Sequence, residues 1–356
     1  VDQIVRVGTS LFLCLWLRPL GVEWAVAGLA GGFVFGEWAG WLVLVGLYLT
    51  RRQTLQAKMT QVETAPVESR WELSQRLLGL AVPAVMATIL WPIMQLADSL
   101  IIPGRLQVAG YTADCVREGL GHFGMALVLA QLPNIITVAL ATSLIPAISE
   151  AWALGSKRLV AYRAEEALRV SLIFGMPGFA FLYALARPLA QVLFGYAQVG
   201  APLKILAFGT ITLGLIQSTT GILQGLGKMA LPVRNLSIGV ILKFVLNYTL
   251  VANPSLGVLG AALSTTICWA AVAFLNLTAV FKRVGLVIHL VNGILKPCLA
   301  ALVAAVASYY LQDTLVYFLP VSSAALISLT TGLVFYFLLS VWGGTILEKD
   351  VHLIPL

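Results

Sequence analysis

Ten long apolar runs with few interior charges occupy most of this 356-residue chain, at roughly 5–17, 23–50, 77–102, 122–148, 167–185, 203–226, 230–251, 256–281, 290–311 and 317–342. About 20 apolar residues are what an α-helix needs to cross the ~30 Å hydrocarbon core of a bilayer. Inside hydrocarbon every backbone N–H and C=O needs an internal partner, which leaves helices and closed barrels. The runs are continuous, not the ~10-residue alternating stretches of a membrane barrel, so helices are expected. The predicted fold class is therefore all-α, a polytopic membrane bundle of about ten spans. Charged residues make up 10% of the chain and hydrophobic ones 60%, against ~25% charged in a soluble domain. That balance excludes a soluble enzyme and a disordered or collagen-like chain.

The net charge of +7 matters less than where each charge falls. With ten spans, the loops on the side where the chain begins collect Arg6, Arg51, Arg52, Lys58, Arg70, Arg76, Lys157, Arg158, Arg163, Arg169, Lys228, Arg234, Lys282, Arg283, Lys296 and Lys349. The other side holds Arg18, Arg105, Arg117, Arg187 and Lys204, and Lys243 lies inside a run. Basic loops face the cytoplasm, so both ends of the chain are expected there, and no nucleic-acid partner is needed to explain the excess. The opening VDQIVRV has no cleavage pattern, so it is not read as a signal peptide. The run 5–17 is short for a full crossing, and the natural protein is expected to begin upstream of Val1.

An internal repeat appears at a shift of 232. Gly28, Gly32, Gly36 and Arg51 fall on Gly260, Ser264, Cys268 and Arg283. Small residues four apart let helix backbones approach closely in lipid. The two helices are the second and the eighth, so they share orientation. Two parallel six-helix lobes are implied, the first incomplete in this chain, which is a transporter architecture that works by rocking one lobe against the other.

The stretch QLPNIITVALATSLIPAISE at 131–150 closely resembles the polysaccharide transporter branch of the multidrug/oligosaccharidyl-lipid/polysaccharide (MOP) flippase superfamily, nearest the stage V sporulation protein B family of Gram-positive bacteria. DSLIIPGRLQ at 98–107, AGYT at 109–112, QIVRV at 3–7 and PSLGVLGAA at 254–262 look like the same family. The resemblance implies fourteen helices: two six-helix lobes and two extra at the C-terminus. This chain resembles the fifth to the fourteenth. Residues 1–52 would be the end of the first lobe, 53–73 a cytoplasmic linker, 74–284 the second lobe and 285–356 the two extra helices. The implied activity, without a cofactor, is flipping of a polyprenyl-diphosphate-linked sugar precursor across the bacterial plasma membrane, for peptidoglycan or another envelope polymer. Related lipid II flippases carry an arginine where this chain, aligned on Pro133, has Val128.

Ionisable groups inside spans are costly and mark pathways by default. Lys243, with Asn247 one turn later on the same face, is a candidate for holding the diphosphate of a lipid-linked sugar. Glu37, beside the glycine ridge, is a candidate for a coupling proton or sodium ion, or for pairing with Lys243. Asp98, with Gln95 one turn before it, reads as an outer-mouth gate or a solvated helix end. Gln131 and Asn134 flank Pro133 and either line the cavity or satisfy a proline kink, since proline frees a carbonyl. Pro83 and Pro92 suggest a bent helix.

The four cysteines have no paired spacing, and the three histidines lie far apart, so no metal site is expected. A membrane glycosyltransferase or polymerase would need polar catalytic loops, and these loops are mostly short. The closer rival is a cation-coupled multidrug exporter of the same superfamily, which calls for an acidic cavity. The two C-terminal runs favour the flippase, because they would form a groove for a polyprenyl tail.

Overall fold

The computed structural model describes residues 2–60, 69–285 and 291–344. Among them all regular structure is helical and no strand occurs, and eight helices are long and apolar enough to cross a membrane. Contacts divide the chain into two compact units, Val1–Gln75 and Arg76–Leu356.

In the first unit, α1 (Asp2–Leu17) and α2 (Val22–Thr60) form a hairpin. The four-residue glycine spacing becomes its seam. Leu13, Ser10 and Arg6 of α1 lie over Gly28, Gly32 and Gly36 of α2. A Cβ on Gly36 would come within 2.7 Å of the Arg6 Cβ, and one on Gly32 would run into the Ser10 backbone. The approach lets Ser10 Oγ donate to Leu29 O at 3.1 Å and Thr9 Oγ1 to Gly32 O at 3.3 Å. Apolar burial gives no drive between helices in lipid, so such close contact and hydrogen bonding hold the pair. Gly32→Val is therefore expected to destabilise the hairpin by about 1–3 kcal/mol, the usual cost of overpacking. Gly46→Ala, whose Cβ would meet nothing within 4 Å, is expected to be silent. Thermal unfolding in detergent compares the two.

The second unit contains most of α3 (Arg70–Val108), then α4 (Ala113–Gln131), α5 (Asn134–Ala153), α6 (Lys157–Ala184), α7 (Ala186–Phe194), α8 (Gly200–Gly225), α9 (Ala230–Leu250), α10 (Val258–Val284), α11 (Lys296–Leu315) and α12 (Val321–Trp342). Helix α8 is the hub, packed against α4, α5, α6 and α10. Its Leu203, Leu206, Leu213, Ile222 and Leu223 are fully buried. A Cβ on its Gly221 would sit 2.9 Å from the Ala141 carbonyl of α5. Polar bridges fasten the remaining faces: Asn235 Nδ2 donates to Asn276 Oδ1 at 2.8 Å, and Asn276 Nδ2 to Thr220 Oγ1 at 3.3 Å, joining α9, α10 and α8. The C-terminal pair α11 and α12 packs on α6. There Tyr336 is fully buried and donates its hydroxyl to Ile173 O at 2.6 Å.

The repeat reappears as shared packing. Gly28, Gly32 and Gly36 meet α1, the helix preceding their own. At the matching positions of α10, Gly260 meets the Leu250 backbone, Ser264 Oγ donates to Lys243 O at 3.4 Å and Cys268 Sγ donates to Gly239 O at 3.0 Å, all on the preceding α9.

Three expectations need correction. The run 122–148 is two helices, α4 and α5, separated by Leu132 and Pro133. The stretch 111–121, between the expected runs 77–102 and 122–148, is helical beyond its start, because Thr112 caps α4 by accepting from Cys115 N, and such a hydroxyl satisfies one of the orphan N–H groups of the first turn. A helix, α7, stands where a connector was expected, burying Ala186, Leu189 and Ala190. Within the expected linker 53–73, α2 runs through Thr60 and α3 starts at Arg70. The linker's Leu, Gln, Ala, Lys and Met are good helix formers despite their polarity as a set. Residues 61–68 lie outside the described residues. Two of the ten expected spans are not among the eight: α1 has 16 residues, and several side chains of α3 lie outside the described residues. Helix α3 runs through Pro83 and Pro92 without a break.

Candidate functional site

Helices α3 and α9 bring three of the singled-out polar residues into contact. Lys243 Nζ donates to Asp98 Oδ2 at 2.7 Å, and Asn247 Nδ2 donates to Asp98 Oδ1 at 2.8 Å. Lys243 is 3% exposed and Asn247 0%. Both oxygens of one carboxylate are thus engaged by the i and i+4 residues of α9, which share a helix face. The Oδ1 of Asn247 is buried without a hydrogen-bond partner. Asp98 is therefore buried and paired, and is not a solvated helix end.

A small cavity of about 20 Å³ adjoins the pair, lined by Gln95, Asp98, Gln131 and Lys243 with Trp91 and Trp269. It holds about one water molecule. The indoles of Trp91 and Trp269 stack, with centroids 6.3 Å apart and planes 6° from parallel. In this conformation a diphosphate has no room at Lys243, whose charge Asp98 already neutralises. Gln131 turns back on its own helix, donating to Leu127 O at 3.3 Å. Asn134 lies apart from the cavity's lining, and its Oδ1 is buried and unpartnered.

Glu37 is paired within its own unit. Its partner is Arg6, which donates to Oε1 at 2.5 Å and also pairs with Asp2 at 3.6 Å. The Glu37 side chain is 74% exposed within its unit. The reason is local: α1 lies along the glycine ridge, so its arginine reaches the acid beside Gly36.

Two further spaces were not anticipated residue by residue. An apolar groove of about 670 Å³ lies between α11 and the α6/α8 face, lined by Met176, Phe179, Phe208, Ile211, Ala301 and Ala305. Lys204, Tyr183 and Tyr309 close one end, the Lys204 ammonium lying 5.6 Å from the Tyr183 ring centre. Beyond it is a more polar chamber of about 370 Å³ with Arg187, Gln191, Lys204, Gln312 and Asp313 in its wall. In sequence Arg187 and Lys204 are merely connector charges. Nothing there places them beside residues more than a hundred positions later.

No family model matches the chain. It is 26% identical to stage V sporulation protein B of Bacillus subtilis over 283 residues, 79% of this chain and 54% of that protein. It is 30% identical to the uncharacterized membrane protein YabM of the same organism over 314 residues, 87% of this chain and 57% of that one. Against the lipid II flippase MurJ of B. subtilis the identity is 24% over 261 residues, 70% of this chain and 48% of the flippase. The chain therefore spans about half the length of the curated relatives it matches. A solved structure of lipid II flippase MurJ, in an inward closed conformation, superposes with a TM-score of 0.65 at 15% identity, covering 95% of this chain and 66% of that one.

Proposed function

From a chain that is homologous to flippases of the MOP superfamily, we propose that the full protein flips a polyprenyl-diphosphate-linked sugar, a precursor of peptidoglycan or another envelope polysaccharide, across the plasma membrane by alternating access. The observation that carries this reading is the apolar groove between α11 and the α6/α8 face. Helix α11 belongs to the C-terminal pair in which a groove for a polyprenyl tail was expected. A long hydrocarbon chain seated there stays out of water while its polar head passes through the bundle.

The buried Asp98–Lys243–Asn247 cluster is the proposed switch. A paired, hydrogen-bonded charge is tolerable in a low-dielectric interior only while its partner stays. Rocking that separates α3 from α9 would expose both charges, and an incoming diphosphate would then replace Asp98 on Lys243. A coupling proton or sodium ion would act on the freed carboxylate, with Glu37 a second candidate in the first unit. The bias of basic residues to one set of loops supports a cytoplasmic position for both ends of the chain.

The test is reconstitution of the full protein in liposomes with a fluorescent polyprenyl-diphosphate sugar, scored by how much label becomes accessible at the opposite leaflet. Transfer well above protein-free vesicles is expected. Cation-driven uptake of lipophilic drugs without transfer of the sugar lipid would instead identify a multidrug exporter. Lys243→Ala is expected to abolish transfer with normal membrane insertion, and unchanged transfer rejects its assignment.

A further inference from the structure

The polar chamber beyond the groove has a composition that the groove alone does not explain. It lies where α6 ends and α8 begins, beside the end of α11 and the start of α12. That is the end of the unit opposite its basic connectors at 157–163 and 228. Arg187 and Lys204 are exposed there, and neither has a carboxylate within 4.0 Å among the described residues. Gln312 is 7% exposed and lines the same chamber, yet its Oε1 has no hydrogen-bond partner. A buried amide oxygen left unpaired is costly, so Gln312 Oε1 is poised to accept from a donor entering the chamber. Asp313 adds a second acceptor on the wall.

Two cations and two hydroxyl acceptors therefore face one space of about 370 Å³. Lys204 and Tyr309 are shared between this chamber and the apolar groove. The groove follows α11 from Tyr310 back to Cys298, twelve residues or about 18 Å at 1.5 Å each. Charge and polarity thus change along one continuous path, from cations and acceptors to hydrocarbon.

Resting on the flippase reading above, we infer that the chamber is the delivery-side seat of the lipid-linked substrate. Arg187 and Lys204 hold the diphosphate, Gln312 and Asp313 accept hydroxyls of the first sugar, and the chain lies in the groove. Guanidinium groups match phosphate oxygens in a bidentate fashion, and lysine supplies a point charge. Phosphatidylglycerol offers a single phosphate to the two cations and only a short glycerol to the acceptors, so the diphosphate sugar lipid, with a second phosphate and a full sugar ring, is the occupant that satisfies the whole wall.

The test uses the full protein in detergent with native mass spectrometry, titrated with polyprenyl diphosphate carrying one N-acetylhexosamine, with phosphatidylglycerol and with inorganic diphosphate. The sugar lipid is expected to bind at least tenfold tighter than either of the others. Arg187→Gln with Lys204→Gln is expected to weaken it tenfold or more, and Gln312→Leu to weaken the sugar lipid more than phosphatidylglycerol. Ala305→Trp, which fills the groove, is expected to weaken the lipid and leave inorganic diphosphate unchanged. Equal binding of phosphatidylglycerol, or of inorganic diphosphate, overturns the inference, as does wild-type binding by the Arg187/Lys204 variant. Failure of the wild-type protein to transfer the sugar lipid in liposomes defeats the flippase reading itself. Transfer by the wild type together with unaltered binding by the variants defeats only the chamber.

Discussion

Asp98→Ala is expected to lower stability by about 3–5 kcal/mol, because it strands a buried ammonium whose counter-charge among the described residues is that carboxylate. Lys243 donates to Asp98 at 2.7 Å with 3% of its surface exposed, so water has little access to substitute. Asn247 loses its acceptor in the same substitution, while its own Oδ1 is already unpartnered. Thermal unfolding in detergent should show a large drop in midpoint, and transfer of the sugar lipid should vanish. The informative companion is the double variant Asp98→Leu with Lys243→Met. Replacing a buried ion pair by apolar groups of similar volume is often neutral or stabilising by about 1–4 kcal/mol. The double variant is therefore expected to unfold at or above the wild-type temperature and still fail to transport. A stable double variant that transports normally would reduce the pair to scaffolding.

Tyr336→Ala is expected to be the other severe change, at about 3–5 kcal/mol, in line with removal of large aromatic side chains from a core. Tyr336 is fully buried between α12 and α6, and its ring meets Phe337 with centroids 5.5 Å apart. Its hydroxyl donates to Ile173 O at 2.6 Å. Tyr336→Phe keeps the ring and removes only that bond, so a loss of about 0.5–1.5 kcal/mol is expected. The graded pair separates packing from hydrogen bonding at the joint that holds the C-terminal helices to the lobe. Because α11 forms one wall of the groove, Tyr336→Ala should also weaken binding of a polyprenyl diphosphate at temperatures where the protein remains folded. Undiminished binding there would show that the groove does not depend on this joint.

Much of the helical layout was readable from the chain, and for one reason. A membrane span must be long, apolar and internally hydrogen-bonded, so each leaves a continuous signal in the sequence. The misread pieces are those whose signal is weak. Helix α7 is nine residues long and sits among connectors. The start of α4 carries Asp114, Arg117 and Glu118, which read as loop until the Thr112 cap is seen. The break between α4 and α5 was visible only as Pro133 inside an apolar run.

The candidate site divides in the same way. A lysine within an apolar run stands out at once, and Asn247 one turn away follows from helical period. The partner of that lysine does not. Asp98 lies 145 positions earlier, and any acid in any span was a possible mate. Glu37 was as plausible until α1, lying along the glycine ridge, placed Arg6 on it. Span number, the charge bias of the loops and the small-residue seams are properties of local pattern, set by what a bilayer tolerates residue by residue. Which carboxylate meets Lys243, which helix walls the groove, and which connector charges gather in one chamber depend on pairings between distant segments. Those pairings follow from side-chain packing among helices, for which a linear pattern carries no address.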